Sequence, residues 1–176
     1  MTVVRLFIGR LWPLWAAIAA AAMLAIAHAA ESFGHLPPCQ LCLRQREVYW
    51  VALWVGVLGW RLELALPHRR FGAVFCGALA LIFLYQAGLA GYHAGVEWKW
   101  WPGPQSCSGQ GKASAQDLAA LLNGAQIKGP SCEVAAWRGL GLSMAGWNAL
   151  AALGLAVLSA ASCAVAWAAR PPKAMA

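Results

Sequence analysis

Residues 37–60 read PPCQLCLRQREVYWVALWVGVLGW, and this stretch decides the architecture. Its apolar part, Val48–Trp60, is about 13 residues, or roughly 20 Å of helix at 1.5 Å per residue. A bilayer core of about 30 Å demands about 20 residues. A spanning helix must therefore recruit Leu64 or Leu66 at one end and Cys42–Glu47 at the other. Pro37-Pro38 stiffens the approach, and proline suits the position at or just before a first helical turn. The helix is thus predicted to start near Cys39–Cys42, with Arg46 at the membrane edge, one turn after Cys42 on the same face.

Three further apolar stretches flank this one, about Leu11–Ala30, Phe71–Ala94 and Leu140–Ala169. With 61% hydrophobic and 11% charged residues, the 176-residue chain is too apolar for an ordinary soluble domain. The expected fold is an all-α membrane protein, one bundle of four transmembrane helices over residues 1–176, with the second span near 48–66. The net charge of +7 does not mark a nucleic-acid protein. Arg5 and Arg10 precede span one, Arg61, Arg69 and Arg70 lie between spans two and three, and Arg170 and Lys173 follow span four. By the positive-inside rule these segments, and both termini, are cytoplasmic. The loops near 31–47 and 95–139 then face the periplasmic side, where disulfides persist. Ala27-His28-Ala29 resembles a signal-peptidase site. The apolar run before it exceeds a usual signal h-region and contains Trp12 and Trp15, so a retained anchor is expected.

The second outer loop changes character along its length. Trp98, Trp100 and Trp101 suit the headgroup level, and Pro102-Gly103-Pro104 breaks any helix. Ser114-x-x-Asp117 resembles a capping box and opens Ala115–Ala125, where Leu118, Leu121, Leu122 and Ala125 recur at helical spacing. This predicts a short amphipathic helix lying on the bilayer or on the bundle top. Gly91-x-x-x-Gly95 is a single, weak signal for close helix packing.

Four cysteines fall in the outer loops: Cys39, Cys42, Cys107 and Cys132. Four thiols allow three pairings. A C-x-x-C at a helix N-terminus meets unpaired backbone N–H groups and the positive end of the helix dipole, both of which favour thiolate. Arg46 can stabilise a Cys42 thiolate or donate to a carbonyl oxygen, whereas Arg44 is expected to snorkel or pair with Glu47. About 24 residues separate Cys107 from Cys132, and a staple closing that loop would stabilise the fold by roughly 3–4 kcal/mol. Linkage would make such a bond about 75 mV more reducing, so a working disulfide requires a mobile or strained loop. Zinc held by Cys39 and Cys42 with His35, His93, Cys107 or Cys132 is a weaker reading, because an oxidising compartment opposes free thiolates. Cys76 and Cys163 lie inside spans three and four and should pack as small apolar residues. His93, near the outer end of span three, would line one pocket with Arg46 if that span packs beside it.

At these residues the chain resembles the DsbB family, the inner-membrane thiol:quinone oxidoreductases of bacteria. PCQLCLRQREVYW is similar to the family's P-C-x-L-C-x-x-Q-R segment, and YHAGVE at 92–97 and WRGLGLSMAGWNAL at 137–150 resemble the borders of its second periplasmic loop. The resemblance implies that a DsbA-like thioredoxin-fold dithiol oxidase attacks a Cys107–Cys132 disulfide at Cys107. Cys132 then exchanges with Cys39–Cys42, and the Cys42 thiolate passes electrons to ubiquinone or menaquinone, with Arg46 and His93 at the quinone ring. Val48 stands where many members have proline, and Gln45 where some have an acidic residue. The competing expectation is a non-catalytic membrane scaffold with stapled loops, which has no use for Arg46 beside Cys42.

Overall fold

The computed structural model describes residues 11–66, 71–104, 107, 122 and 131–168. Four helices carry it: α1 (Trp12–Ser32), α2 (Gln40–Ala65), α3 (Phe71–Glu97) and α4 (Met144–Ala168). Each is long and apolar enough to cross a membrane. The fold is an all-α four-helix bundle in which α3 packs chiefly on α4, α1 on α2, and α2 on α3. The expected amphipathic segment near 115–125 lies outside the described residues apart from Leu122, as do Arg5, Arg10, Arg69, Arg70, Arg170 and Lys173.

The packing is that of a bundle solvated by lipid. Small residues fill the interior, with Ala16, Ala20, Ala52 and Ala152 wholly buried, while Trp54, Leu81 and Val157 face outward. Lipid tails are as apolar as leucine, so helices associate where small residues let backbones approach. Gly56 shows how close: a Cβ there would fall 2.7 Å from the Pro13 carbonyl oxygen and 2.9 Å from Ala17 Cβ. A buried hydrogen bond from Trp12 Nε1 to Ser159 Oγ (2.9 Å) ties α1 to α4. Gly91 and Gly95 correct the helix-packing expectation. Among the described residues nothing lies within 4 Å of a Cβ at Gly91, and the space at Gly95 is filled by the Trp101 ring rather than by another helix.

The helix ends explain where the loops go. The α2 helix starts at Gln40, and Cys39 is its N-cap, accepting the Cys42 N–H on its own sulfur at 3.3 Å. No break occurs at Val48. The α3 helix closes in a Schellman turn, with Trp100 N–H on the Gly95 carbonyl, Lys99 N–H on that of Val96, and Lys99 at φ 61°. The turn folds Trp101 back on α3, where it stacks on Tyr92 at 5.9 Å and donates to the Tyr92 carbonyl. Before α4 the chain makes a two-residue hairpin, β1 (Arg138–Gly139) pairing antiparallel with β2 (Leu142–Ser143). Leu140 and Gly141 both take positive φ, the geometry of a type I′ turn. The hairpin shifts the start of α4 from the expected Leu140 to Met144.

Candidate functional site

Capping places both sulfurs of the C-x-x-C at the top of α2. Cys39 is buried, Cys42 is partly exposed, and their Sγ atoms lie 2.8 Å apart. The bond with Cys42 comes first, and burial second, in pushing the Cys39 thiol well above the ordinary thiol range. Cys107 and Cys132 are joined in a disulfide, both sulfurs buried. These two pairs share one packed cluster, formed by Cys39, Leu41, Val96, Cys107 and Cys132, with Cys42 and Leu89 packed against it.

His93 on α3 enters the same site. Its Nε2 stands 3.6 Å from Cys39 Sγ and 3.7 Å from Glu97 Oε1 one turn further on. Its Nδ1 receives the Gln45 side-chain amide at 2.9 Å. Asn148 Nδ2 donates to Gln45 Oε1, and the Tyr49 hydroxyl donates to Asn148 Oδ1. This chain runs in one direction across α2, α4 and α3. An amide nitrogen can only donate, so Nδ1 accepts and the imidazole hydrogen resides on Nε2, aimed at the sulfur and the carboxylate. The Sγ atoms of Cys39 and Cys42 and a ring nitrogen of His93 lie within 4.8 Å of one another, close enough to hold a metal ion. As hydrogen-bonded, however, the ring presents a hydrogen there and not the lone pair a metal takes.

Arg46 is close enough to Cys42 for its charge to act there, and its hydrogen bonds run to α1. It donates from Nη1 to Glu31 Oε2 and from Nη2 to the Ala27 carbonyl (3.1 Å), both on α1. Arg44 pairs with Glu47 at 3.1 Å on the exposed face. Cys76 is wholly buried in α3, and Cys163 donates to the Ala73 carbonyl, both remote from the outer loops.

A cavity of about 760 Å³ adjoins the dithiol. Cys39, Cys42, Arg46, His93 and Glu97 line it, with apolar side chains of α1 and α4 forming much of the remaining wall. Sequence reasoning had singled out the cysteines, Arg46 and His93. It passed over Glu31, Tyr49, Glu97 and Asn148, and noted Gln45 only as a departure. Polar residues in apolar spans were the available signal, since such groups seldom lie at that depth without a partner.

A four-helix, multi-pass membrane protein with a dithiol packed against a disulfide belongs to the class that handles thiol oxidation at a membrane. The family model described as disulfide bond formation protein DsbB matches residues 9–162, and the chain belongs to that family. No curated protein and no solved structure matches this chain.

Proposed function

We propose that the protein is a thiol:quinone oxidoreductase of the bacterial inner membrane, reoxidising a DsbA-like periplasmic dithiol oxidase. The observation that carries this reading is the shared cluster of Cys39, Cys107 and Cys132. A disulfide that only stapled a loop would have no need to pack against a second thiol pair. The partner's first thiolate attacks Cys107 and releases Cys132, which attacks Cys39 and displaces Cys42. The partner's second thiol then frees Cys107, and Cys107 attacks Cys132, re-forming Cys107–Cys132 and releasing Cys39. Each exchange conserves one disulfide, so the electron pair ends on Cys39 and Cys42.

The cavity suits a quinone of the ubiquinone or menaquinone type. Its volume is that of a small-molecule site, its walls are largely apolar, and a few polar groups converge in it. Arg46 and His93 Nε2 are the donors that would hold the carbonyl oxygens of the ring. When bound, the quinone supplies a two-electron acceptor. The helix N-terminus stabilises negative charge on the sulfurs, Cys39 keeps its proton until the pair closes, and the apolar wall excludes water. Orientation with both termini cytoplasmic, from the arginine placement, sets the cysteine loops on the oxidising side.

The test is direct. Purified protein is mixed with a reduced thioredoxin-fold dithiol and quinone, and quinone absorbance is followed. Steady reduction is expected, and its absence with folded protein overturns the proposal.

A further inference from the structure

Among the described residues Glu97 is the carboxyl group that lines this cavity, and no relay step above uses it. It lies at the end of α3, 8% exposed, and lines the cavity together with Cys39 and Cys42. Its Oε1 stands 3.7 Å from His93 Nε2, the nitrogen that also faces Cys39. Its Oε2 is buried and, among the described residues, has no hydrogen-bond partner. An ionised carboxylate with an unpartnered buried oxygen is strongly disfavoured, and a proton on that oxygen removes the penalty. Glu97 is also close enough to Cys42 for their charges to interact. Two acids in one low-dielectric cavity cannot both ionise cheaply, so they share protons as a coupled pair.

We propose that Glu97 is the proton store of the dithiol site, taking up a proton when the Cys39–Cys42 disulfide is reduced and releasing it when that disulfide re-forms. The destination of the proton rests on the quinone reading above. The balance closes. An incoming pair of thiols yields its two electrons and two protons: Cys39 becomes a thiol, Cys42 a thiolate, and the second proton goes to Glu97. On reoxidation the sulfurs join and give up two electrons to a quinone. Cys39 and Glu97 give up one proton each, a hydroquinone leaves, and Glu97 returns to carboxylate. The site carries a single negative charge throughout.

The groups facing Glu97 fit this role. On α2 the thiols exchange protons with it, and on α3 His93 offers an N–H fixed on Nε2 by Gln45. The Ser143 hydroxyl of β2 is a polar neighbour, and Arg138 of β1 is exposed and therefore screened by solvent. Arg46 stands in the same cavity but is bound to Glu31.

Two measurements test it. In redox-difference infrared spectra of the protein without quinone, reduction of Cys39–Cys42 should raise the carbonyl stretch of a protonated carboxyl group. That band should be missing from Glu97→Gln. In single turnovers of pre-reduced protein with excess quinone, the wild-type rate should vary little from about pH 6 to about pH 8. The Glu97→Gln rate should fall about tenfold per pH unit as the second proton comes from solvent. A merely structural role would leave that slope unchanged. Absence of the band on reduction, or equal slopes in the two proteins, overturns the proposal. If the band appears but wild type reduces no quinone, Glu97 still takes up the proton and the quinone reading alone fails.

Discussion

Arg46 on α2 is clamped by Glu31 on α1: the guanidinium donates to the carboxylate, and its second nitrogen reaches the Ala27 carbonyl at 3.1 Å. The Arg46 side chain is 14% exposed and that of Glu31 40%, so the pair sits at the rim of the cavity with the cation on the inner side. The cation is thereby fixed in the cavity wall through α1, and free Nη and Nε hydrogens remain for a ligand.

The first prediction separates binding from positioning. Arg46→Ala should raise the KM for quinone by about 10–100-fold, the loss of one or two hydrogen bonds from a charged donor. Glu31→Ala leaves the charge but frees it to swing, and should raise the same KM by roughly 3–10-fold, since a partly solvated pair contributes less. Steady-state kinetics at saturating protein dithiol reads both. A Glu31→Ala effect equal to or larger than that of Arg46→Ala would contradict the ordering.

The bundle was legible because its signal is additive over about 20 residues per span, and the start of α2 was legible because Pro37-Pro38 and the shortness of Val48–Trp60 both pointed to Cys39. The hairpin before α4 was not, because Leu140 takes a positive φ that leucine rarely adopts, so no turn motif announces it. In the site, residue types marked Cys39, Cys42 and His93 as chemically able. Their partners were hidden for another reason. Gln45, His93 and Asn148 come from three helices, with about 48 and 55 positions between successive members, and only the packing of α2, α3 and α4 brings the amides into line. Glu31 was invisible in the same way: sequence spacing set Arg46 beside Cys42, one turn away, while the cation's closest partner lies on another helix.

The amide chain makes a graded stability prediction. Gln45→Leu strands His93 Nδ1 and Asn148 Nδ2 together in a buried setting and should cost roughly 1–3 kcal/mol. Tyr49→Phe removes only the terminal donor and should cost about 0.5–1.5 kcal/mol. Denaturant unfolding in detergent measures both. In Gln45→Leu the His93 ring should also lose its fixed tautomer, visible in its nitrogen NMR shifts. Equal costs, or an unchanged tautomer, would show that Gln45 does not hold the ring.

The ionisation of Cys39 gives a pH prediction. Its thiol is held above the usual range, first by the bond with Cys42 and then by burial. An acid so shifted keeps its proton to higher pH, so its thiolate fraction, and its alkylation rate, rises about tenfold per pH unit through the neutral and mildly alkaline range. In reduced protein, iodoacetamide and peptide mass spectrometry should therefore find Cys42 labelled before Cys39 at neutral pH. Cys42→Ala removes the largest cause, and Cys39 should then label faster at the same pH. A Cys39 rate that levels off in the mildly alkaline range would rule the shift out.

The final prediction distinguishes the two sulfur pairs. Cys107→Ala removes the disulfide that meets the partner but leaves Cys39, Cys42, Arg46 and His93 in place around the cavity. Turnover with a thioredoxin-fold dithiol should fall to background. Quinone reduction driven by a small dithiol such as dithiothreitol, which can reach the partly exposed Cys42, should persist within about threefold. The variant also loses a loop closure worth about 3–4 kcal/mol, so its unfolding midpoint should drop. Cys42→Ala should abolish both activities, because no second thiol remains to close the pair. Were Cys107→Ala to keep full turnover with the protein dithiol, Cys107–Cys132 would be a staple, and the cluster it forms with Cys39 would be packing alone.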